Sequence, residues 1–214
     1  MTDQPLILGA VLYEGFELLD MFGPLEMFTA VAPEVLQVVM IAEKKGAVKA
    51  GSMANSPMPT CIADYGFDDA PDLDLILVPG GIGTFAELEN DKILSFLRDR
   101  AEKAQITASV CSGSALLAKA GLLDGHRATS NKMFFNLAVT QSDKVEWIEA
   151  ARWVEDGKFV TSSGVSAGID MALAIIARLF GNELAETIAK GAEYIWHREA
   201  DVDPFAQYLN EGSI

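Results

Sequence analysis

Four short apolar runs constrain what this chain can become: Leu6 to Tyr13, Leu36 to Ala42, Leu73 to Val78 and Ile106 to Val110. Each is a strand's length, and their apolar content suits strands covered on both faces. Segments with helical spacing lie between and after them. Leu18 to Val31 is broken by Gly23-Pro24, which predicts a short turn, a restart near Pro24 and a helix ending before Pro33. Asp91 to Ala104, Ala115 to Leu123, Gly164 to Phe180 and Glu183 to Arg198 are the other expected helices. Arg127 to Ser130 and Lys158 to Ser162 read as further strands, Lys144 to Val154 as a polar hairpin or meander, and Lys44 to Ser56 as a hairpin or loop. Strands alternating with helices predict an α/β sandwich around a mostly parallel sheet. Half of the 214 residues are hydrophobic, and no repeat, low-complexity tract or linker interrupts them, so residues 1–214 are expected to form one domain.

Ligands of such sheets bind at the carboxyl ends of the strands. Tyr13-Glu14, Pro79-Gly80-Gly81 and Cys111 all fall at that edge. In Ser109-Val110-Cys111-Ser112-Gly113 an apolar run stops at a cysteine and resumes as a helix, which reads as strand, sharp turn, helix. A thiol in that turn meets unpaired backbone N–H groups and the positive end of a helix, which favour its thiolate. Cys111 is therefore read as a nucleophile, against the alternative of a small buried core residue. Ser109 and Gly113 stand at minus two and plus two, where small residues relieve crowding in a strained elbow.

A thiol nucleophile needs a proton partner and a place for negative charge. Gly80 and Gly81 lack a Cβ, so their N–H groups can approach closely; with the Ser112 N–H they are candidates for an anion-holding pocket, the alternative being an ordinary strand-end turn. Asp20, among Leu18, Leu19, Met21 and Phe22, is either a helix cap or a buried acid whose raised pKa lets it hold and donate a proton. Ser112 supplies a further hydrogen bond or caps its helix, and Glu17 is expected in solvent. His126 and His197 read as surface or packing residues, and Cys61 as core. Met21, Phe22, Met27 and Phe28 are expected in the core, with a pocket wall or dimer contact as the alternative. No metal-ligand spacing occurs, and Gly80-Gly81-Ile82-Gly83 lacks the lysine of a phosphate loop, so neither metal nor cofactor is expected.

The net charge of -15 argues against nucleic acid and anionic membrane as partners. No basic leader precedes the first strand and no stretch has the length of a membrane span; with only Cys61 and Cys111, a reducing cytoplasm is expected.

Five segments, in order, are similar to the DJ-1/PfpI superfamily and within it to the isonitrile hydratase branch. They are Tyr13-Glu14-Gly15-Phe16 with Asp20 and Gly23-Pro24; Leu77-Val78-Pro79-Gly80-Gly81; Ala108-Ser109-Val110-Cys111-Ser112-Gly113; Leu122-Leu123-Asp124-Gly125 with Ala128-Thr129; and Ser163 through Asp170. The resemblance implies a flavodoxin-like three-layer sandwich, a reactive Cys111, a small-molecule substrate and a homodimer. It implies that Asp20 stands where most of the superfamily has a glutamate, and that Ser112 stands for the branch's threonine. It further implies that Cys111 attacks the terminal carbon of R–N≡C while Asp20 supplies a proton, with water resolving a thioimidate to an N-substituted formamide. One position departs: Asn131 lies where many relatives have a histidine, and an amide is no general base near neutral pH. Two other functions follow from the resemblance. One is a stress sensor in which Cys111 is oxidised to a sulfinate held by Gly81 and Ser112 donors. The other is a ligand-binding module of the kind AraC-type regulators carry, although the sequence ends at Ile214 with no DNA-binding helix pair and carries the wrong charge for one.

Overall fold

The computed structural model describes residues 4–51 and 58–212. The first apolar run forms β1 (Leu6–Val11), followed by α1 (Leu18–Thr29) and β2 (Leu36–Ala42). A hairpin of β3 (Gly46–Lys49) and β4 (Thr60–Ala63) comes next, then the short β5 (Tyr65–Gly66). Residues 52–56 of the expected hairpin or loop lie outside the described residues. The chain continues through β6 (Leu75–Val78), α2 (Thr84–Glu87), α3 (Asp91–Lys103), β7 (Ile106–Ser109) and α4 (Gly113–Lys119). Then come β8 (Arg127–Ala128), α5 (Phe135–Val139), β9 (Glu146–Trp147), β10 (Trp153–Asp156), β11 (Phe159–Ser162), α6 (Ala167–Phe180) and α7 (Asn182–Gly191).

Seven strands make the central sheet in the order β10-β11-β7-β6-β1-β2-β5, parallel throughout except where β10 pairs antiparallel with β11. The central strands β6 and β7 are buried along their whole length, as two-sided coverage requires. Helices pack in two groups, α1 with α6 and α7, and α2, α3 and α5 around α4. The result is the expected flavodoxin-like three-layer α/β sandwich. Among the described residues, no helix is long and apolar enough to cross a membrane.

Several local expectations are corrected. Helix α1 runs unbroken through Pro24. Proline removes one rung of the helix ladder, but the crossing with α6 holds the helix together: a Cβ on Gly23 would lie 2.8 Å from Ile169, and one on Gly168 would lie 3.1 Å from Pro24. The Lys144–Val154 segment is no hairpin. Its β9 pairs in parallel with β8 in a separate two-stranded sheet, while β10 joins the edge of the main sheet. The strand at Arg127 ends at Ala128. Helix α7 stops at Gly191, and the residues up to Arg198 fold back without helix, Glu193 adopting φ +51°.

That return is fastened by buried charge. Asp170 on α6 meets the Arg152 guanidinium at 2.6 Å, and its Oδ1 accepts from Tyr194 OH at 3.1 Å and the His197 N–H at 2.9 Å. Asp203 lies between Arg152 at 3.7 Å and Lys132 at 3.8 Å.

Candidate active site

Cys111 joins β7 to α4 with φ +57°, a left-handed conformation that non-glycine residues rarely adopt and that clusters at functional turns. Its main chain is pinned. The N–H donates to Ser163 O at 3.0 Å, and the carbonyl accepts from Ser114 Oγ and Ser130 Oγ, each at 3.1 Å. Gly113 has a steric reason to be glycine, since a Cβ there would collide with Val78 O and stand 2.7 Å from Pro79 O. The elbow therefore closes on the end of β6 only without a side chain.

Asp20, the third residue of α1, is fully buried. It caps nothing; its Oδ2 accepts the Gly80 N–H at 2.8 Å. Among the described residues Oδ1 has no N–H or O–H donor, and the Cys111 thiol is the hydrogen-bonding group beside the carboxyl. Burial lifts its pKa from 3.8 to about 7 against the pull of the Gly80 N–H, with the Glu17 charge adding to the rise and the Cys111 contact opposing it. Glu17 is half-buried at the head of α1, less solvated than expected.

Cys111 is 8% exposed. Burial pushes its thiol well above the ordinary value and the Asp20 charge pushes it further, while the N–H groups of Ser112 and Val165 and the Asn131 side chain act in the opposite direction. The expected gain from the helix N-terminus is outweighed, and α4 spans only Gly113–Lys119. Burial favours the protonated thiol, and the Asp20 carboxyl beside it, raised to about 7, can take up or hold a proton near neutral pH.

The donors facing sulfur include two that sequence reasoning did not place there. Asn131 Oδ1 accepts the Phe134 N–H at 3.0 Å, which turns Nδ2 toward the sulfur; a Cβ on Gly164 would lie 2.6 Å from that nitrogen. Val165 contributes only its N–H, from a turn with φ +37°. Its side chain carries no signal, because the function is a backbone direction.

The glycine N–H groups expected in an anion pocket are both engaged. Gly80 N–H holds Asp20, and Gly81 N–H donates to Ser112 Oγ at 3.2 Å. Gly80 is still required, since a Cβ there would stand 2.5 Å from Ser112 Oγ and 2.9 Å from Asp20 Oδ2. The Ser112 side chain does not cap α4; its Oγ lies 2.9 Å from Thr84 Oγ1. His126 packs edge-on against Phe159 and faces Asp156 at 3.4 Å, and His197 meets Asp170 through its backbone, so both are packing residues. Cys61 is partly buried on β4 against the core. Met21, Met27 and Phe28 are core, but Phe22 is 43% exposed. Two surface hollows, of about 800 and 260 Å³, do not include Cys111, although Tyr13 and Glu14 line the smaller one.

Comparison with known proteins agrees with this architecture. The DJ-1/PfpI family pattern matches residues 8–178. An isonitrile hydratase from Pseudomonas putida is 32% identical over 88% of this chain and 78% of its own length. The crystal structure of a ThiJ/PfpI family protein from Pseudomonas syringae superposes with a TM-score of 0.78 at 31% identity, covering 94% of this chain and 77% of that one. The transcriptional regulator GbdR of Pseudomonas aeruginosa is 32% identical over 59% of this chain, which spans only 34% of the regulator. The chain belongs to the DJ-1/PfpI family.

Proposed function

We propose that this DJ-1/PfpI family member hydrates an isonitrile R–N≡C to the N-substituted formamide, with Cys111 as nucleophile and Asp20 as proton carrier. The observation that carries the reading is the buried Asp20 carboxyl beside the Cys111 thiol, raised to about 7 with no cation among the described residues to hold it ionised. An acid poised near neutrality both gives and takes protons.

The thiol first passes its proton to the Asp20 carboxylate. The thiolate then forms a bond to the terminal carbon while Asp20 delivers the proton to that same carbon. The product is R–N=CH–S–Cys111, and Asp20 is again a carboxylate. Asp20 next takes a proton from water as the hydroxide adds to carbon, and that proton goes to nitrogen. Finally the C–S bond breaks, the hydroxyl proton passes through Asp20 to sulfur, and R–NH–CHO leaves. Substrate and water supply every atom of the product. The Ser112 and Val165 N–H groups and Asn131 Nδ2 stabilise charge on sulfur in the steps where it forms and leaves. The proposal includes the cytoplasmic location expected from the sequence and the homodimer that the family resemblance implies.

The alternative use of this sulfur, a sulfinate-forming sensor, has weaker support, because the Gly81 N–H expected to hold the oxidised group is bonded to Ser112 Oγ. The test is incubation of the purified protein with a small alkyl isonitrile, reading formamide by NMR. Turnover is expected, and Cys111→Ala should reduce it by about 10⁴-fold or more, as removal of a covalent nucleophile does. Absence of formamide with a panel of isonitriles would sink the reading.

A further inference from the structure

Three buried hydroxyls run in a line away from the elbow. Ser112 Oγ is 2.9 Å from Thr84 Oγ1, Thr84 Oγ1 is 3.0 Å from Tyr13 Oη, and Tyr13 Oη is 2.7 Å from the carbonyl of Pro79. The carbonyl end fixes the direction of the whole chain. A carbonyl oxygen only accepts, so the single Tyr13 proton is committed to Pro79 O. Tyr13 can therefore engage Thr84 only as acceptor, so the single Thr84 proton is committed to Tyr13. Thr84 in turn can engage Ser112 only as acceptor, which commits the Ser112 proton to Thr84. Burial holds the relay in this state: Tyr13 is 5% exposed and Thr84 fully buried, and burial raises the Tyr13 pKa so that it keeps its proton.

Ser112 Oγ thus has no proton to offer toward Cys111. Of its two lone pairs one receives the Gly81 N–H at 3.2 Å, and among the described residues no other donor takes the second. An acceptor-only hydroxyl is ill suited to stabilise an anion and well suited to hold an O–H. We infer that Tyr13 and Thr84 are positioning residues that lock the Ser112 hydroxyl as a hydrogen-bond acceptor, and that Ser112 thereby holds the water that attacks the thioimidate. Asp20 Oδ2 and Ser112 Oγ flank the same glycine, within 2.9 Å of where a Gly80 Cβ would stand. One water can then give one proton to the carboxylate while its second O–H is steered by Ser112. This rests on the hydratase reading, because only that reading has a water-dependent second half.

The two halves of the reaction separate the inference from a merely structural role. Thr84→Val removes the acceptor for Ser112. Thioimidate formation should stay within about threefold of wild type, while its hydrolysis slows about 10- to 100-fold, the scale of losing one oriented hydrogen bond. Single-turnover mass spectrometry should then show the isonitrile adduct accumulating on Cys111. Thr84→Ser, which restores the hydroxyl, should bring hydrolysis back to within about threefold. Tyr13→Phe should slow the same step, because Thr84 then turns its proton toward Ser112. Equal slowing of both halves, or failure of Thr84→Ser to rescue, overturns the inference. Neutron diffraction of the deuterium-exchanged wild-type protein tests the relay even if the protein hydrates no isonitrile: deuterium on Ser112 Oγ must point to Thr84, and deuterium pointing to Cys111 overturns it. Lack of formamide from wild type would instead refute the hydratase reading.

Discussion

Asp20 and Asp170 are both fully buried aspartates in the first turn of a helix, on α1 and α6, which pack against each other. Their surroundings are opposite. Asp170 has the Arg152 guanidinium at 2.6 Å, with further donors from Tyr194 and the His197 backbone. Among the described residues Asp20 has one backbone donor, Gly80 N–H, and a thiol. A buried carboxylate with a cation and several donors works as a fastener; burial without them pushes a carboxyl toward its neutral form, as at Asp20. The same residue type at equivalent depth is thus a fastener in one helix and, under the proposed function, a proton carrier in the other.

Removing the charge separates the two roles, and the larger effect should be at Asp170. Asp170→Asn leaves the Arg152 guanidinium buried without its close partner, and the loss should be about 3–5 kcal/mol in a denaturant titration. Asp20→Asn should do the reverse. Its raised pKa means that the folded protein holds a proton the unfolded chain releases, so stability is unaffected below pH 4 and falls as pH rises from about 4 to 7. The amide escapes that loss, so the variant should be more stable than wild type by about 2–4 kcal/mol at pH 8, with the gain vanishing below pH 4. Its turnover should nevertheless fall about 10³-fold or more. A stable, fully active Asp20→Asn would break the comparison.

That contrast was only half legible in the sequence. The four apolar runs and the elbow at Cys111 could be read directly, because burial pattern and small flanking residues are written in side chains; Asp20 was legible only as a helix cap or a buried acid, and the family resemblance set it beside Cys111. What could not be read was donated by the backbone or arranged across the fold. The N–H groups of Gly80 and Gly81 were expected to face an anion, but they orient Asp20 and Ser112. Val165 enters through a left-handed turn that no side chain announces. Asn131 stood out as a departure from relatives, yet its use as a donor to sulfur depends on the Phe134 N–H that turns its amide. The end of α7 was missed because Tyr194, Trp196 and His197 continue a plausible helix, while their bonds to Asp170 pull the segment out of it.

The proton carrier proposed at Asp20 also predicts a pH dependence. Attack requires one proton on the Asp20–Cys111 pair rather than two. As the Asp20 pKa is raised to about 7, kcat/KM should rise about tenfold per pH unit below that value and level off above it. A flat profile from pH 5 to 8 would mean that Asp20 is held ionised after all.

The smallest effect concerns the one irregularity that α1 has and α6 lacks. Pro24 lacks the N–H that would bond the Asp20 carbonyl, which leaves that acceptor without its rung of the helix. If helix regularity placed the Asp20 carboxyl, Pro24→Ala would alter catalysis. The carboxyl is placed instead by the Gly80 N–H from the end of β6. Alanine would restore a hydrogen bond of about 1 kcal/mol. It would also give up the ring contact at Gly168 and the rigidity that proline lends the unfolded chain, together of similar size. Stability should therefore change by less than about 1 kcal/mol, and turnover by less than about threefold. A larger loss of kcat with stability unchanged would show that the broken rung, and not Gly80, sets the aim of Asp20.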